Sequence, residues 1–390
     1  MGCLNRVMRR FLVGINGGNT GEVSEPEGPT ICVVSGGISG NRIAGLYPFF
    51  RILSMHWRTR LVGTAKGPVY EPFRDLFGEP ETVDGLKPTF WMMASLLRMV
   101  RGDLIFCFQY NPWIFLPCLL MKVLRGVPMC LLVQDWDLGM GPVHRLPGLH
   151  RLYSLNHELY YILAERLARK CEVVICSGTF IQRRLGGVRI PQGTDPVVVE
   201  PSARGETRQK IGASEGDVVV MWVGKPRPWK GLEELVRAVR RASEVDPGVR
   251  LVVVGPYLPE RRHGAVSVAG PVPKSEVPRL VSASDIYAVT PNLTPFSDAQ
   301  LPTKVFDGMA VGRPVLATRV SDLPLLLGKY GVIVEPGDDE ELAGAILDLA
   351  ADEKGRLKRG IMMRKTFLKR WSTDRMEERL VPLITPLLDE

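Results

Sequence analysis

The stretch VVVMWVGKPRPWKG, residues 218–231, decides the fold: a six-residue apolar run ends in a glycine, three cations crowd the turn, and a second glycine follows. Val218 to Val223 is too short and too rich in β-branched residues for a helix, so it predicts a buried strand. Beyond the turn, Leu232, Leu235, Val236 and Val239 recur at i, i+3, i+4 and i+7, the apolar face of an amphipathic helix. The turn is therefore a strand-to-helix loop. In an open parallel sheet such loops sit at the carboxyl ends of the strands, where ligands bind, and the next helix points its free N–H groups outward. Lys225, Arg227 and Lys230 in that position make an anion site. Taken alone, they fit a solvated basic turn equally well.

Working outward, the same alternation continues on both sides. Downstream, strands are predicted at VRLVVVG (249–255), near VSVAG, at DIYAVTP (285–291), RPVLATR and YGVIVEPG, with helices at SEVPRLVSAS, PTKVFDGMAVG and DEELAGAILDLAADE. Upstream, TICVVSGG (30–37) reads as a strand ending in a glycine turn, with an apolar-faced segment from Ile43 to Leu53 behind it. Further strands are read at 59–64, 103–108, 128–135 and 171–177. Strands alternating with helices predict parallel sheets covered on both faces, so the fold class is α/β, with two Rossmann-like domains facing a cleft.

The chain of 390 residues is long for one core. The Pro- and Gly-rich segment IPQGTDPVVVEPSARGE (190–206) holds the predicted boundary. The expected division is a tail and linker over 1–28, a first domain over 29–197, a second over 205–370, and a C-terminal helix over 371–390 that packs back on the first domain.

Composition narrows the function classes. A hydrophobic share of 45% and a charged share of 24% exclude a chain that is disordered over most of its length. The seven cysteines (3, 32, 107, 118, 130, 171 and 176) are scattered through apolar runs with no C-x-x-C spacing. They read as buried thiols of a reducing compartment, and neither a zinc site nor a disulfide framework is supported. Residues 1–199 hold 22 Lys and Arg against 15 Asp and Glu, so +7 of the formal +8 belongs to the first half. That asymmetry predicts an anionic partner, and in the absence of a nucleic-acid motif the reading is an anionic membrane surface and no nucleic acid.

No run reaches the roughly 18 apolar residues of a spanning helix. DLIFCFQYNPWIFLPCLLMKVL (103–124) is interrupted by Gln109, Asn111, Pro112 and Pro117, and reads as a strand, a turn and a hydrophobic helix. The basic opening MGCLNRVMRRFLVGINGG lacks a signal-peptide core, and Arg6 stands where an acylation motif at Gly2 wants Ser or Thr. The localisation expected is cytoplasmic, peripheral on the inner face of the membrane.

TPNLTPFSDAQLPTKVFDGMAVGRPVLAT is the second site-bearing passage. Pro302 suits the first turn of a helix that Gly312 closes, which puts Thr303, Lys304 and Asp307 on one face near its start. An anion would meet Thr303 and Lys304, and a sugar diol would meet Asp307; alternatively Asp307 is a solvated helix residue and Thr303 a cap.

With these residues in place, the second half resembles the retaining GT-B glycosyltransferases of the GT4-like group, also called glycosyl transferases group 1. The resemblance rests on five ordered motifs: VGKPRPWKGLEELVRAV, VRLVVVG, VAGPVPKSEVPRLVSASDIYAVTP, PTKVFDGMAVGRPVLAT and GVIVEPGDDEELAGAI. It is looser in the first half, on VVSGG, LLVQDWD and CEVVICSGTFIQRRLGGVRIPQGTD. It implies that Lys225 and Lys230 bind the diphosphate of a nucleotide-sugar donor, with Arg227 assisting and Asp307 meeting the ribose hydroxyls. It further implies donor binding at Gly36, Gly37, Gly224, Val272, Thr303 and Lys304, and a catalytic set of Asp135, Lys225 and Lys230, with no metal and no cofactor beyond the donor itself.

Two departures from the family pattern stand out. Ala299 occupies the position eight residues before Asp307 where the family has Glu, leaving Asp298 as a substitute, and Gln134 precedes Asp135 where many members carry a cleft histidine. The activity implied is transfer of a hexose from a UDP- or GDP-sugar to a lipid-linked or glycan acceptor with retention. A nucleotide-sugar 2-epimerase of the same fold and a non-catalytic sugar-nucleotide-binding scaffold are the alternatives.

Overall fold

The computed structural model describes residues 28–70, 77–85, 90–136, 149–197, 202–256 and 264–389. The expectations for residues 1–27, including Gly2 and the basic tail, lie outside the described residues, as do residues 198–201 of the boundary segment.

The first domain carries seven parallel strands: β1 (Thr30–Ser35), β2 (Arg58–Ala65), β3 (Glu81–Asp84), β4 (Leu104–Phe108), β5 (Met129–Val133), β6 (Val173–Cys176) and β7 (Val188–Arg189). Their spatial order is β3-β2-β1-β4-β5-β6-β7. The second domain carries β8 (Val218–Val223), β9 (Val249–Val254), β10 (Val266–Gly270), β11 (Ile286–Val289), β12 (Val315–Thr318) and β13 (Val332–Val334), in the order β10-β9-β8-β11-β12-β13. Both are doubly wound sheets that reverse direction beside their first strand, between β1 and β4 and between β8 and β11. Ligands of such sheets bind in the crevice at that reversal.

The continuous apolar character of β8 follows from burial on both faces. Val220 and Trp222 pack with Leu235 and Val239 of helix Leu232–Val245, while Val219 and Met221 pack with Phe306, Met309 and Phe367 on the other side. Asp285, just before β11, accepts from Arg204 (2.6 Å), Arg208 (2.8 Å) and the Val219 N–H (2.8 Å), which ties helix Ser202–Lys210 to the second sheet.

In the first domain one face of the sheet packs against helices Phe90–Met99, Pro112–Arg125 and Leu149–Ala168. Helix Ile43–His56 covers the other face together with the chain's last long helix, Thr373–Ile384, whose Met376, Leu380 and Ile384 sit with Ile31, Phe49 and Phe106 in one apolar cluster. The crossing back is pinned at several points. Thr194 bridges to Ser372, Asp195 accepts from Thr373 Oγ1 (2.8 Å) and from Arg51, and His56 Nε2 lies 2.9 Å from Glu377.

Several elements were not read in the sequence, among them β3, β7, helix Ser202–Lys210 and helix Glu353–Arg370. Strands β3 and β7 are edge strands of four and two residues whose burial does not alternate cleanly. Helix Glu353–Arg370 was passed over because its buried residues are only Gly360, Met363 and Phe367 among many cations. One predicted helix is shorter than expected: the segment predicted from Pro302 to Gly312 is helical only over Val305–Ala310. Thr303 and Lys304 belong to the preceding turn, where the N–H groups of Val305, Phe306 and Asp307 reach back to the carbonyls of Pro302, Thr303 and Lys304. The six cysteines among the described residues are all free thiols.

Candidate active-site cleft

A cleft of about 480 Å³ opens between the carboxyl ends of the two sheets. Its second-domain wall is built from the two loops that flank the β8/β11 reversal. After β8 the chain turns at Gly224, with φ 141°, where an added Cβ would fall 1.4 Å from Lys304 Nζ. Lys225 follows, then a 3-10 turn over Pro228–Lys230, then Gly231 at φ 62°, where a Cβ would sit 1.7 Å from the Thr290 carbonyl. Glycine at 224 and 231 thus lets the loop after β8 lie against Lys304 and the loop after β11. Asn292 completes the attachment, its N–H donating to Trp229 O (3.0 Å) and its side-chain amide to Pro228 O (3.1 Å).

Lys304 is clamped between these loops. Its Nζ donates to the Val223 carbonyl and stands 5.0 Å from the centre of the Trp222 ring. Water reaches part of Lys304 and Asp307, yet protein crowds both within the narrow cleft. Burial pulls the Lys304 ammonium down to about 7, with Lys230 adding to the shift and Asp307 opposing it. Burial likewise pushes the Asp307 carboxyl up to about 6, against the pull of Lys274 and Lys304. Lys230 is lowered by burial and then by Arg227 and Lys225, and its Nζ donates to the Lys225 carbonyl at 3.1 Å. Lys274 is lowered by burial too, with Asp307 and Asp195 opposing. The wall is a cationic concavity in which Lys230, Lys274 and Lys304 hold their protons less firmly than free lysines. An anion placed among them would reverse that.

The first-domain wall presents Asp135 at the end of β5. Gln109 has φ 68°, and its side-chain carbonyl, with the amide turned to satisfy both partners, accepts from the N–H groups of Gln134 (3.3 Å) and Asp135 (3.2 Å). Gln134 is itself buried, donating to Gly45 O at 2.7 Å, while Ser177 Oγ donates to Gln134 O at 3.1 Å. The Asp135 carboxylate lies 3.9 Å from Arg42 Nε and accepts from Gln300 Nε2, across the cleft, at 2.7 Å.

Of the residues named from sequence, Asp135, Gly224, Lys225, Lys230, Val272, Thr303, Lys304 and Asp307 line this cleft together. Gly36, Gly37, Arg227 and Asp298 do not line it. Gly37 is occupied with the first sheet, its N–H donating to Thr64 Oγ1 at 3.0 Å. Arg227 is exposed at the outer edge of its turn. Asp298 faces the opposite way, accepting from the Ser321 N–H at 3.2 Å and lining a separate cavity with Arg183 and Asp322, so the carboxylate offered in place of the missing Glu is turned out of the cleft.

Several wall residues escaped the sequence reading. Gln300 stands one residue beyond Ala299, and its polarity in SDAQLPTK was the available signal. Lys274 lies two residues beyond Val272 and sets its Nζ 5.7 Å from the ring centre of Tyr47 in the other domain, a pairing no sequence spacing reveals. Trp229 lines the cleft with its ring edge-on to Phe296 at 5.4 Å, and its buried Nε1 has no hydrogen-bond acceptor.

Comparison with known proteins agrees with this geometry. Residues 217–352 match the model of the glycosyl transferases group 1 family. The GDP-mannose-dependent alpha-(1-6)-phosphatidylinositol monomannoside mannosyltransferase of Mycolicibacterium smegmatis is 26% identical over 280 residues, covering 63% of this chain and 73% of that protein. The D-inositol 3-phosphate glycosyltransferase of Corynebacterium glutamicum is 28% identical over 192 residues, 44% of this chain and 45% of that relative. Among solved structures, Anabaena Alr3699/HepE in complex with UDP and glucose superposes with a TM-score of 0.74 over 92% of this chain and 100% of its own, at 17% identity, a likeness of fold. The family's match lies on the second domain, and the two-domain fold over nearly the whole chain is the GT-B fold of glycosyltransferases.

Proposed function

We propose that this protein transfers a hexose from a GDP- or UDP-sugar to a lipid-linked or glycan acceptor, with retention of anomeric configuration and without a metal. One observation carries the reading: Lys225, Lys230 and Lys304 converge on the carboxyl end of β8, with Asp307 as the carboxylate beside them. Departure of a nucleoside diphosphate develops negative charge on the leaving phosphates, and cations already fixed in a cleft stabilise it without reorganising. Asp307 is suited to accept hydrogen bonds from a ribose diol. Asp135, on the acceptor-side wall, is the group that would orient or deprotonate the incoming hydroxyl, alongside the leaving phosphate.

The relative from M. smegmatis is named for GDP-mannose, which makes that donor the first to test, and UDP-glucose the second because a structural neighbour holds UDP and glucose. A cytoplasmic site, peripheral on the inner face of the membrane, goes with a lipid-linked acceptor. The experiment is incubation with each donor, reading nucleoside diphosphate release, followed by assignment of the product's anomeric configuration by NMR. Inversion would overturn the retaining mechanism, isomerisation of the sugar without an acceptor would favour an epimerase, and no release with any donor would favour a scaffold.

A further inference from the structure

The cavity that takes Asp298 lies between the domains and measures about 710 Å³, within the range of roughly 300 to 1,000 Å³ usual for ligand sites. Helix Pro295–Ala299 separates it from the cleft: Ser297 and the following Gln300 line the cleft, whereas Asp298 lines the cavity. Its polar groups are incompletely used. Asp322 is 8% exposed, and the bonds it accepts from Thr179 and Arg189 all fall on Oδ2, so Oδ1 has no partner among the described residues. Asp298 accepts on Oδ1 from the N–H of Ser321, whose φ of 53° is uncommon for a residue other than glycine, and its Oδ2 has no described partner. On the first-domain side Arg183 is exposed and pairs with no described residue. Arg184 engages only Nε, with Glu165 at 2.8 Å, and lies over the Trp136 ring at 5.0 Å from its centre.

Charge narrows the occupant. Among the lining residues Arg183 and Arg184 balance Asp298 and Asp322, and the partners outside the cavity, Glu165 and Arg189, cancel as well. The site therefore favours neither an anion nor a cation. Guanidinium groups that donate and carboxylate oxygens that accept are together the complement of a row of hydroxyls, each of which does both. Phe180, Pro324 and Leu325 add apolar surface for the C–H face of a sugar ring. The two sites also meet in the chain of the first domain. Asp135 lines the cleft, and the next residue, Trp136, backs Phe180 in the cavity wall with ring centres 5.2 Å apart. We infer that this cavity binds a neutral saccharide, namely the sugars of a glycan acceptor that lie beyond the one reacting at Asp135. The inference rests on the glycosyltransferase reading of the cleft and narrows its acceptor to a neutral oligosaccharide.

The test titrates mannotriose, maltotriose and cellotriose into the full chain by calorimetry, using the parent, Arg183→Ala and Leu325→Trp. Both substitutions replace exposed side chains outside the cleft, so GDP and UDP should bind each variant as they bind the parent. At least one trisaccharide should bind the parent. Arg183→Ala should weaken it by about tenfold or more, the loss of a charge-assisted hydrogen bond, and Leu325→Trp should weaken it by filling the space. Failure of all three sugars to bind overturns the inference, as does an affinity unchanged in both variants, which would put the saccharide in the cleft. Inorganic phosphate that displaces the sugar would make the cavity an anion site and overturn it equally. Incubation with GDP-mannose or UDP-glucose then separates an acceptor from a free sugar acting as an effector. A bound trisaccharide that is elongated, with a KM raised in Arg183→Ala, supports the acceptor; one that binds but is elongated with neither donor overturns that assignment. Failure of both GDP and UDP to bind would count against the reading of the cleft instead, and the trisaccharide titration, which needs no nucleotide, would still decide the cavity.

Discussion

Gln300 of the second domain donates its side-chain amide to Asp135 of the first across 2.7 Å, a hydrogen bond that joins the two walls of the cleft through a candidate catalytic carboxylate. The bond holds the Asp135 carboxylate against the second domain's wall. Gln300→Leu should therefore lower kcat by about tenfold or more while GDP affinity changes little, because misplacing a reacting group costs rate more than binding. Isothermal titration with GDP alongside initial rates checks this split. Equal losses in both would make Gln300 a donor-binding residue.

Lys225→Ala and Lys230→Ala should weaken a nucleoside diphosphate far more than the nucleoside, since their partner is phosphate charge. Each charge-assisted hydrogen bond is worth roughly 1.5 to 3 kcal/mol. Thermal-shift titrations with GDP and guanosine, or UDP and uridine, read the difference. Parallel loss for both ligands would remove the diphosphate from this loop.

Asp307→Asn should weaken nucleotides that carry both ribose hydroxyls and spare their 2′,3′-dideoxy counterparts. A carboxylate accepts from both hydroxyls of a diol, whereas an amide offers one accepting atom. Competition of the two nucleotide forms against the parent and the variant measures it, and a substitution that leaves the preference unchanged places the ribose elsewhere.

Lys304 gives a pH dependence with a definite sign. Burial in the cleft holds its ammonium down to about 7, and a phosphate beside it would raise that value. A group whose pKa rises on binding contributes affinity that is complete below its free-state value and is lost as pH climbs through the bound-state value. GDP affinity should therefore decline above about pH 7, with net proton uptake near pH 8 seen as a buffer-dependent heat. The window lies above the nucleotide's own phosphate titration, near pH 6 for a monoester. Lys304→Met should flatten the profile, and a slope unchanged in that variant would assign the proton to another group.

The sequence exposed the long strands of both domains because they are covered on both faces and announce themselves as unbroken apolar runs. Val218–Val223 occupies the predicted residues, while Val249–Val254 and Val266–Gly270 fall within one residue of theirs. Four-residue β3 and two-residue β7 have too little length to show a period. At the site, Lys225, Lys230, Lys304 and Asp307 were legible because two short local motifs hold them. Gln300 and Lys274 acquire meaning only from Asp135 and Tyr47, which stand on the other domain well over a hundred residues away in the chain. Asp298 was misplaced for the converse reason: position along the chain does not tell which way the short helix Pro295–Ala299 aims its side chains.

Asp322 ties the two domains together away from the chemistry. One carboxylate oxygen on the second domain accepts the Thr179 N–H (2.8 Å), the Thr179 hydroxyl (2.9 Å) and Arg189 Nη1 (3.1 Å), all from the first. Asp322→Ala abandons a half-buried arginine. It should therefore favour the open form, visible as a larger radius of gyration by small-angle scattering, whereas scattering that matches the parent would show that the latch is dispensable.

The return of helix Thr373–Ile384 to the first domain has a consequence for how the protein is made. Met376, Leu380 and Ile384 complete a core whose other members, Ile31, Phe49 and Phe106, leave the ribosome some three hundred residues earlier. The first domain must wait with that face uncovered throughout synthesis of the second. Its maturation therefore waits until residues 373–384 have been made, and a chain interrupted before that helix carries a first domain that is unfinished and prone to aggregate.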